Sequence, residues 1–139
     1  MKKMAPSIRK LFDAAKKARL HSYSPYSNCK VGAAIRTKSG KIYGGCNVEN
    51  SSYGGAICAE RGAIQTAVAA EGKIQIRELL VVTDANPPWP PCGLCRQIIS
   101  EFAAPDLTVH LMNLKGQQIS VAFDAIMPQA FTPEHLNKE

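Results

Sequence analysis

Between residues 79 and 112 the chain runs strand, irregular loop, helix, strand, and this order constrains the fold more than any other feature of the sequence. Residues 79–83, Leu-Leu-Val-Val-Thr, are a short unbroken run of the kind found in strands buried on both faces. Asn86-Pro-Pro-Trp-Pro-Pro91 has four prolines in six residues, which removes amide donors and excludes regular structure. Ile98, Ile99 and Phe102 mark the apolar stripe of a helix opening near Cys92, and residues 107–112 read as a second strand. A strand–helix–strand unit closes as a right-handed parallel crossover. The unit therefore predicts an α/β architecture, a mixed sheet covered by helices.

The rest of the chain extends that unit. Residues 7–20 place Ile8, Leu11, Phe12, Ala15 and Ala18 near helical spacing, with Ser7 predicted as N-cap after Pro6. A loop over 21–28 leads into strands over 31–37 and 41–48, joined by a tight turn at Ser39-Gly40. After a loop at 50–55, a helix starting at Cys58 carries Ala63, Ile64, Ala67 and Val68 on one side and closes at Gly72. Lys115-Gly116 turns into a last strand over 118–123, a short helix near 124–127 and a polar tail. The predicted order is α-β-β-α-β-α-β-β-α, with five strands. At 139 residues and 45% apolar content, the chain fits one domain spanning 1–139 whose core needs no disulfide staples.

Charge is uneven. Residues 1–41 hold eleven of the seventeen Lys and Arg and one acid, Asp13; the remainder holds six bases and ten acids. A basic segment is one footprint of nucleic-acid binding. Here the bases between Arg9 and Arg19 alternate with apolar residues, and the one aromatic among them, Phe12, falls on the apolar stripe, so a solvated helix face is expected and no nucleic-acid partner. No apolar run approaches the roughly 18 residues of a spanning helix, so no membrane association is expected. Met1-Lys-Lys-Met-Ala-Pro6 is not followed by the apolar stretch of a signal peptide, which predicts a cytoplasmic protein. An odd count of five cysteines agrees, arguing against a disulfide framework.

Three of those cysteines carry the chemistry. Cys58-Ala-Glu60 and Pro91-Cys-Gly-Leu-Cys95 each bring sulfur to a predicted helix N-terminus, where unpaired N–H groups and the helix dipole favour thiolate. Three protein ligands with one open position is the pattern of catalytic zinc. His21, His110 and His135 stand far from the sulfurs in sequence; Cys29 and Cys46 are the other candidates for a fourth ligand, Cys46 reading better as a small buried strand residue. Glu60, in the first turn of its helix, suits dipole stabilisation, or proton transfer beside a zinc-bound water. With Cys92 and Cys95 downstream it matches the zinc-deaminase signature, cysteine replacing the histidine of the His-x-Glu form.

Asn47-Val-Glu-Asn-Ser-Ser-Tyr53, Cys58-Ala-Glu-Arg61 and Pro91-Cys-Gly-Leu-Cys-Arg-Gln97 resemble consecutive blocks of the cytidine deaminases that act on free nucleosides. Tyr23-Ser-Pro-Tyr-Ser27, Val31-Gly-Ala-Ala34 and Met127-Pro-Gln-Ala-Phe131 fit the same family, so the likeness covers nearly the whole chain in order. The resemblance implies a three-layer α-β-α sandwich around a five-stranded mixed sheet. It also implies hydrolytic deamination of cytidine or deoxycytidine, in pyrimidine salvage, by a homotetramer with one zinc per chain. On the matching positions, Cys58, Cys92 and Cys95 would hold zinc, Arg61 would bond the ligand sulfurs, and Glu60 would shuttle the proton. The backbone N–H of Ala59 would bind the pyrimidine O2, and Asn47 and Glu49, at i and i+2 on a strand end, would grip ribose hydroxyls. Tyr53 and Phe131 would line the pocket, Phe131 in a neighbouring subunit's site.

Two positions depart from the family pattern. Cys29 stands where the family usually has a phenylalanine facing the pyrimidine, removing a stacking surface worth roughly 1–3 kcal/mol. A roomier pocket tolerating N4- or C5-substituted cytosines is the expectation, with weaker cytidine binding as the other outcome. Pro90 stands where the family commonly has Ser or Thr, keeping the carbonyl acceptor and losing the donors. Other functions weighed are deamination of a cytosine antibiotic of the blasticidin S type, nucleic-acid editing, and a zinc or redox module without hydrolysis. The Asn47–Glu49 pair favours ordinary nucleosides over the first, and a redox Cys-x-x-Cys leaves Cys58 and Glu60 unexplained.

Overall fold

The computed structural model describes residues 3–137; Met1, Lys2 and the last two residues of the polar tail lie outside the described residues. Helix α1 (Pro6–Arg19) is followed by strands β1 (Gly32–Thr37) and β2 (Ile42–Cys46), helix α2 (Ala59–Glu71), strand β3 (Ile76–Thr83), helix α3 (Gly93–Phe102), strands β4 (Ala103–Asn113) and β5 (Gln118–Ala122) and a one-turn helix α4 (Phe123–Ile126). The five strands form one sheet in the order β2-β1-β3-β4-β5. Only β3 and β4 are parallel, joined by α3; the other pairs are antiparallel. This is the mixed five-stranded sheet that the crossover unit implies.

The side chains of β3 alternate between two cores. Leu79 and Val81 face α2 and α3, together with Ile35, Ile64, Ile99, Val109 and Leu111. Leu80 and Val82 face α1, with Leu11, Phe12, Ala15, Ala34 and Met112. Helices on both faces explain why this strand reads as a continuous apolar run. Truncating any one of its fully buried leucines is worth about 2–5 kcal/mol.

Close backbone approach sets where the helices sit. A Cβ on Gly32 would lie 2.1 Å from the Ala15 carbonyl oxygen of α1, and one on Gly45 would lie 2.3 Å from the Ala63 nitrogen and 2.6 Å from the Ala59 oxygen of α2. Glycine at 45 thus lets the first turn of α2, with Ala59 and Glu60, lie directly on β2.

Three local expectations are corrected. Ser7 is not the N-cap: Pro6 occupies the first helical turn, where its missing N–H leaves nothing unpaired, and Ala5 precedes it without a side-chain cap. Strand β2 ends at Cys46 and not at Val48, because beyond it the chain pairs only through isolated bridges of Val48 with Tyr23 and Ile57. Strand β3 begins at Ile76, three residues before the apolar run. Glu78 is polar yet belongs to the ladder, since Arg36 on β1 and His110 on β4 flank it, the His110 Nε2 lying 2.9 Å from its carboxylate.

The basic residues of α1 take the solvated position. Leu11, Phe12 and Ala15 face the sheet while Arg9, Lys10 and Lys17 are exposed. Among the described residues, no helix is long and apolar enough to cross a membrane.

Candidate active site

Two helix N-termini converge on the same point. Cys58 is the N-cap of α2 and Cys92 the N-cap of α3, with Cys95 in the first turn of α3. Their three sulfurs lie within 4.8 Å of one another, and the Cys58 and Cys92 sulfurs are 3.8 Å apart. A zinc–sulfur bond of about 2.3 Å in tetrahedral geometry separates neighbouring sulfurs by about 3.8 Å. The donor set therefore fits zinc. Among the described residues no histidine or carboxylate joins the cluster, and Cys29 and Cys46 stay outside it.

The surroundings favour negative sulfur. The Cys95 backbone N–H donates to the Cys92 sulfur at 3.4 Å. Arg61 donates from one Nη to the Ala56 carbonyl at 3.1 Å and to the Cys58 sulfur at 3.7 Å. A hydrogen bond from Cys95, aided by Arg61, draws the Cys58 thiol down to about 5. Cys95 moves the opposite way, raised by its bond to Cys58 and by the burial of its side chain. Among the described residues, Arg61 Nε is the one buried side-chain nitrogen or oxygen without a partner, in a group pressed against the sulfurs.

Above the sulfurs lies a cavity of about 220 Å³, walled by Val31, Asn47, Glu49, Ile57, Trp89 and Pro90, with Cys58, Ala59, Glu60 and Cys92 at its base. It is smaller than the roughly 300–1,000 Å³ of drug-sized sites, and so suited to a small metabolite. Glu60 is 4% exposed. Desolvation raises its pKa above the ordinary carboxylate range, and the negative charge of Cys58 pushes in the same direction. Ala59 is the first helical residue of α2, so its backbone N–H is among those a helix leaves unpaired.

A family model for the cytidine and deoxycytidylate deaminase zinc-binding region matches residues 6–111, three quarters of the chain. The chain belongs to this deaminase family. A cytidine deaminase of Sporosarcina psychrophila is 44% identical over 130 residues, covering 94% of this chain and 95% of that protein. One from Halalkalibacterium halodurans is 42% identical, covering 91% and 96%. The crystal structure of cytidine deaminase from Burkholderia pseudomallei superposes with a TM-score of 0.84 at 43% identity, covering 92% of this chain and all of that one. The deaminase fold, an enzyme's identity and zinc as cofactor follow for this chain.

In this deaminase-family chain, Asn47 and Glu49 line the cavity, and surrounding hydrogen bonds fix both. The Asn47 Oδ1 accepts from the Val31 N–H at 2.9 Å and from the Ser22 hydroxyl, while Nδ2 donates to the Cys29 carbonyl at 2.7 Å. Both acceptor sites of the amide are filled and one N–H is left over. Glu49 accepts from the Tyr26 and Ser27 amides at 2.9 and 3.1 Å and from the Ser27 hydroxyl at 2.5 Å. The Ser27 hydroxyl holds its pKa below the ordinary carboxylate value.

Three expected pocket residues lie elsewhere in the single chain. Cys29 lines an adjoining cavity, and its contribution to the pocket is the carbonyl that holds Asn47. Tyr53 stands 78% exposed in a 3-10 turn (Tyr53–Gly55), edge-on to Tyr26, and does not line the cavity. Phe131 is also exposed, its carbonyl tied to the Gln97 side chain at 2.9 Å. Val31, Val81, Thr83 and Trp89 were missed as lining residues. They come from strand ends and a proline-rich loop, and only the loop's aromatic residue offered a signal in the sequence.

Proposed function

We propose that this chain is a zinc-dependent hydrolase that deaminates cytidine or deoxycytidine, giving uridine or deoxyuridine and ammonia. The observation that carries the proposal is a buried carboxylate, Glu60, beside three mutually close sulfurs at the base of a nucleoside-sized cavity. Cys58, Cys92 and Cys95 would hold the zinc, as their spacing and helix N-termini suit it. Bound zinc supplies a water acidified to a pKa of roughly 7 as nucleophile. Glu60 takes the proton of the attacking water, passes it to ring N3 and then assists departure of the amine as ammonia. Its raised pKa suits a group that must both accept and return a proton. Arg61 draws charge from the Cys58 sulfur, and the Ala59 N–H is free to hold the pyrimidine O2.

The sugar end follows from what the side chains have left to offer. Asn47 retains one donor and Glu49 is ionised with acceptor capacity to spare. A ligand group that accepts from one and donates to the other is a hydroxyl, as on ribose. Residues 1–139 act as one catalytic domain in this reading, located in the cytoplasm. Four copies assemble, with the exposed Phe131 reaching a neighbour's pocket; sedimentation equilibrium would show a four-chain mass.

A spectrophotometric assay of the purified protein against cytidine, deoxycytidine and blasticidin S tests the activity. Ammonia release from the two nucleosides, with far slower turnover of the antibiotic, supports the proposal. Selective turnover of blasticidin S, or of an oligonucleotide at comparable rate, would replace it.

A further inference from the structure

We propose that Trp89 determines specificity by forming a fixed aromatic wall between the nucleoside pocket and a second cavity beside it, against which the pyrimidine packs. This rests on the nucleoside-deaminase reading and names what that site admits. The second cavity, about 270 Å³, is lined by Arg19, Asn28, Cys29, Asp84 and Ala85. Trp89 and Thr83 line both spaces, so they form the partition. Thr83 is buried and its hydroxyl accepts from the Ala85 N–H at 3.3 Å, which leaves the indole as the bulky, half-exposed element of the boundary.

The wall is held although it belongs to no helix or strand. Prolines 87, 88, 90 and 91 restrict the backbone on either side of the indole. Upstream, the Asn113 side-chain amide donates to the Ala85 carbonyl at 3.2 Å. Downstream, Pro91 is fully buried and its carbonyl accepts from Arg96 Nε at 2.9 Å, while the same guanidinium reaches the Ile126 carbonyl at 2.8 Å. Among the described residues, that Arg96 contact is the one hydrogen bond made by the stretch 86–91. An aromatic plane carried on stiff backbone and pinned at both ends is preorganised for stacking, which is tolerant of ring identity. Removing it joins the two cavities, giving room for a substituent on the pyrimidine.

Trp89 is the chain's single tryptophan, so its emission reports this wall alone. Uridine, the reaction product, is titrated into the zinc-loaded enzyme under selective indole excitation, and its inhibition constant is measured in parallel. The expected result is a saturable change in emission whose midpoint matches that constant. In Trp89→Ala, kcat/KM for cytidine falls about tenfold, the scale of one lost base–aromatic stack. The ratio of kcat/KM for a bulky C5-substituted cytidine to that for cytidine rises at least several-fold, and Trp89→Phe restores most of the native ratio. Silent emission while uridine inhibits, or an equal loss for all substrates in Trp89→Ala, overturns the role of Trp89 and leaves the deaminase reading intact. An emission change on binding with no ammonia released from any nucleoside sinks the deaminase reading instead.

Discussion

Two carboxylates at the pocket sit in opposite electrostatic circumstances. Glu60 is buried and its pKa is raised by desolvation; Glu49 is solvated, bonded to Ser27 and Tyr26, and its pKa is lowered. A base with a raised pKa loses its ionised form first as pH falls. The acid limb of kcat should therefore lie above the ordinary carboxylate range, while KM stays flat through the same interval because Glu49 remains ionised. A pH profile of kcat and KM separately checks this; a parallel rise in KM would mean that Glu49 titrates with Glu60. The three cysteines and Glu60 were legible as a group because each sulfur sits at a helix N-cap or in the first turn, positions that local sequence marks. The anchoring of Asn47 and Glu49 was not, because their partners Ser22, Ser27 and Val31 lie 16 to 25 residues away.

Helix α2 carries half of the reacting groups, and its position depends on Gly45 in β2. A Cβ there would meet backbone of Ala59 and Ala63, which cannot move like a flexible side chain. Gly45→Ala should destabilise the protein by about 1–3 kcal/mol, the usual scale of overpacking. It should also displace Cys58 relative to Cys92, so zinc should be lost to a chelator faster than from the native protein. Denaturant unfolding together with a chelator-competition time course tests both effects; unchanged values would show that α2 is placed by other contacts. The crossover from β3 through α3 to β4 was legible because its strands are apolar on both faces. The start of β3 was hidden by Arg77 and Glu78, of which Glu78 belongs there only through Arg36 and His110 on neighbouring strands.

For the whole molecule, zinc held by Cys58, Cys92 and Cys95 would tie together the N-termini of α2 and α3, two helices that already share one apolar core. A ligand bound only by the folded state at 100 times its Kd stabilises by about 2.7 kcal/mol. Chelation should then lower the melting temperature by roughly 10 °C for a chain of this size, with recovery on adding zinc. A melting temperature indifferent to chelator would mean that the sulfurs do not hold the ion. Tyr53 and Phe131 stand exposed in the single chain, and a pocket role for Phe131 belongs to the proposed tetramer. The central claim is that a carboxylate moves protons beside a three-sulfur zinc centre, and it is tested most directly in Glu60→Gln by measuring zinc per chain and ammonia release from cytidine together. The account predicts one zinc per chain in both proteins and ammonia release reduced by at least about 10²-fold in the variant. Near-native ammonia release with zinc retained would contradict it.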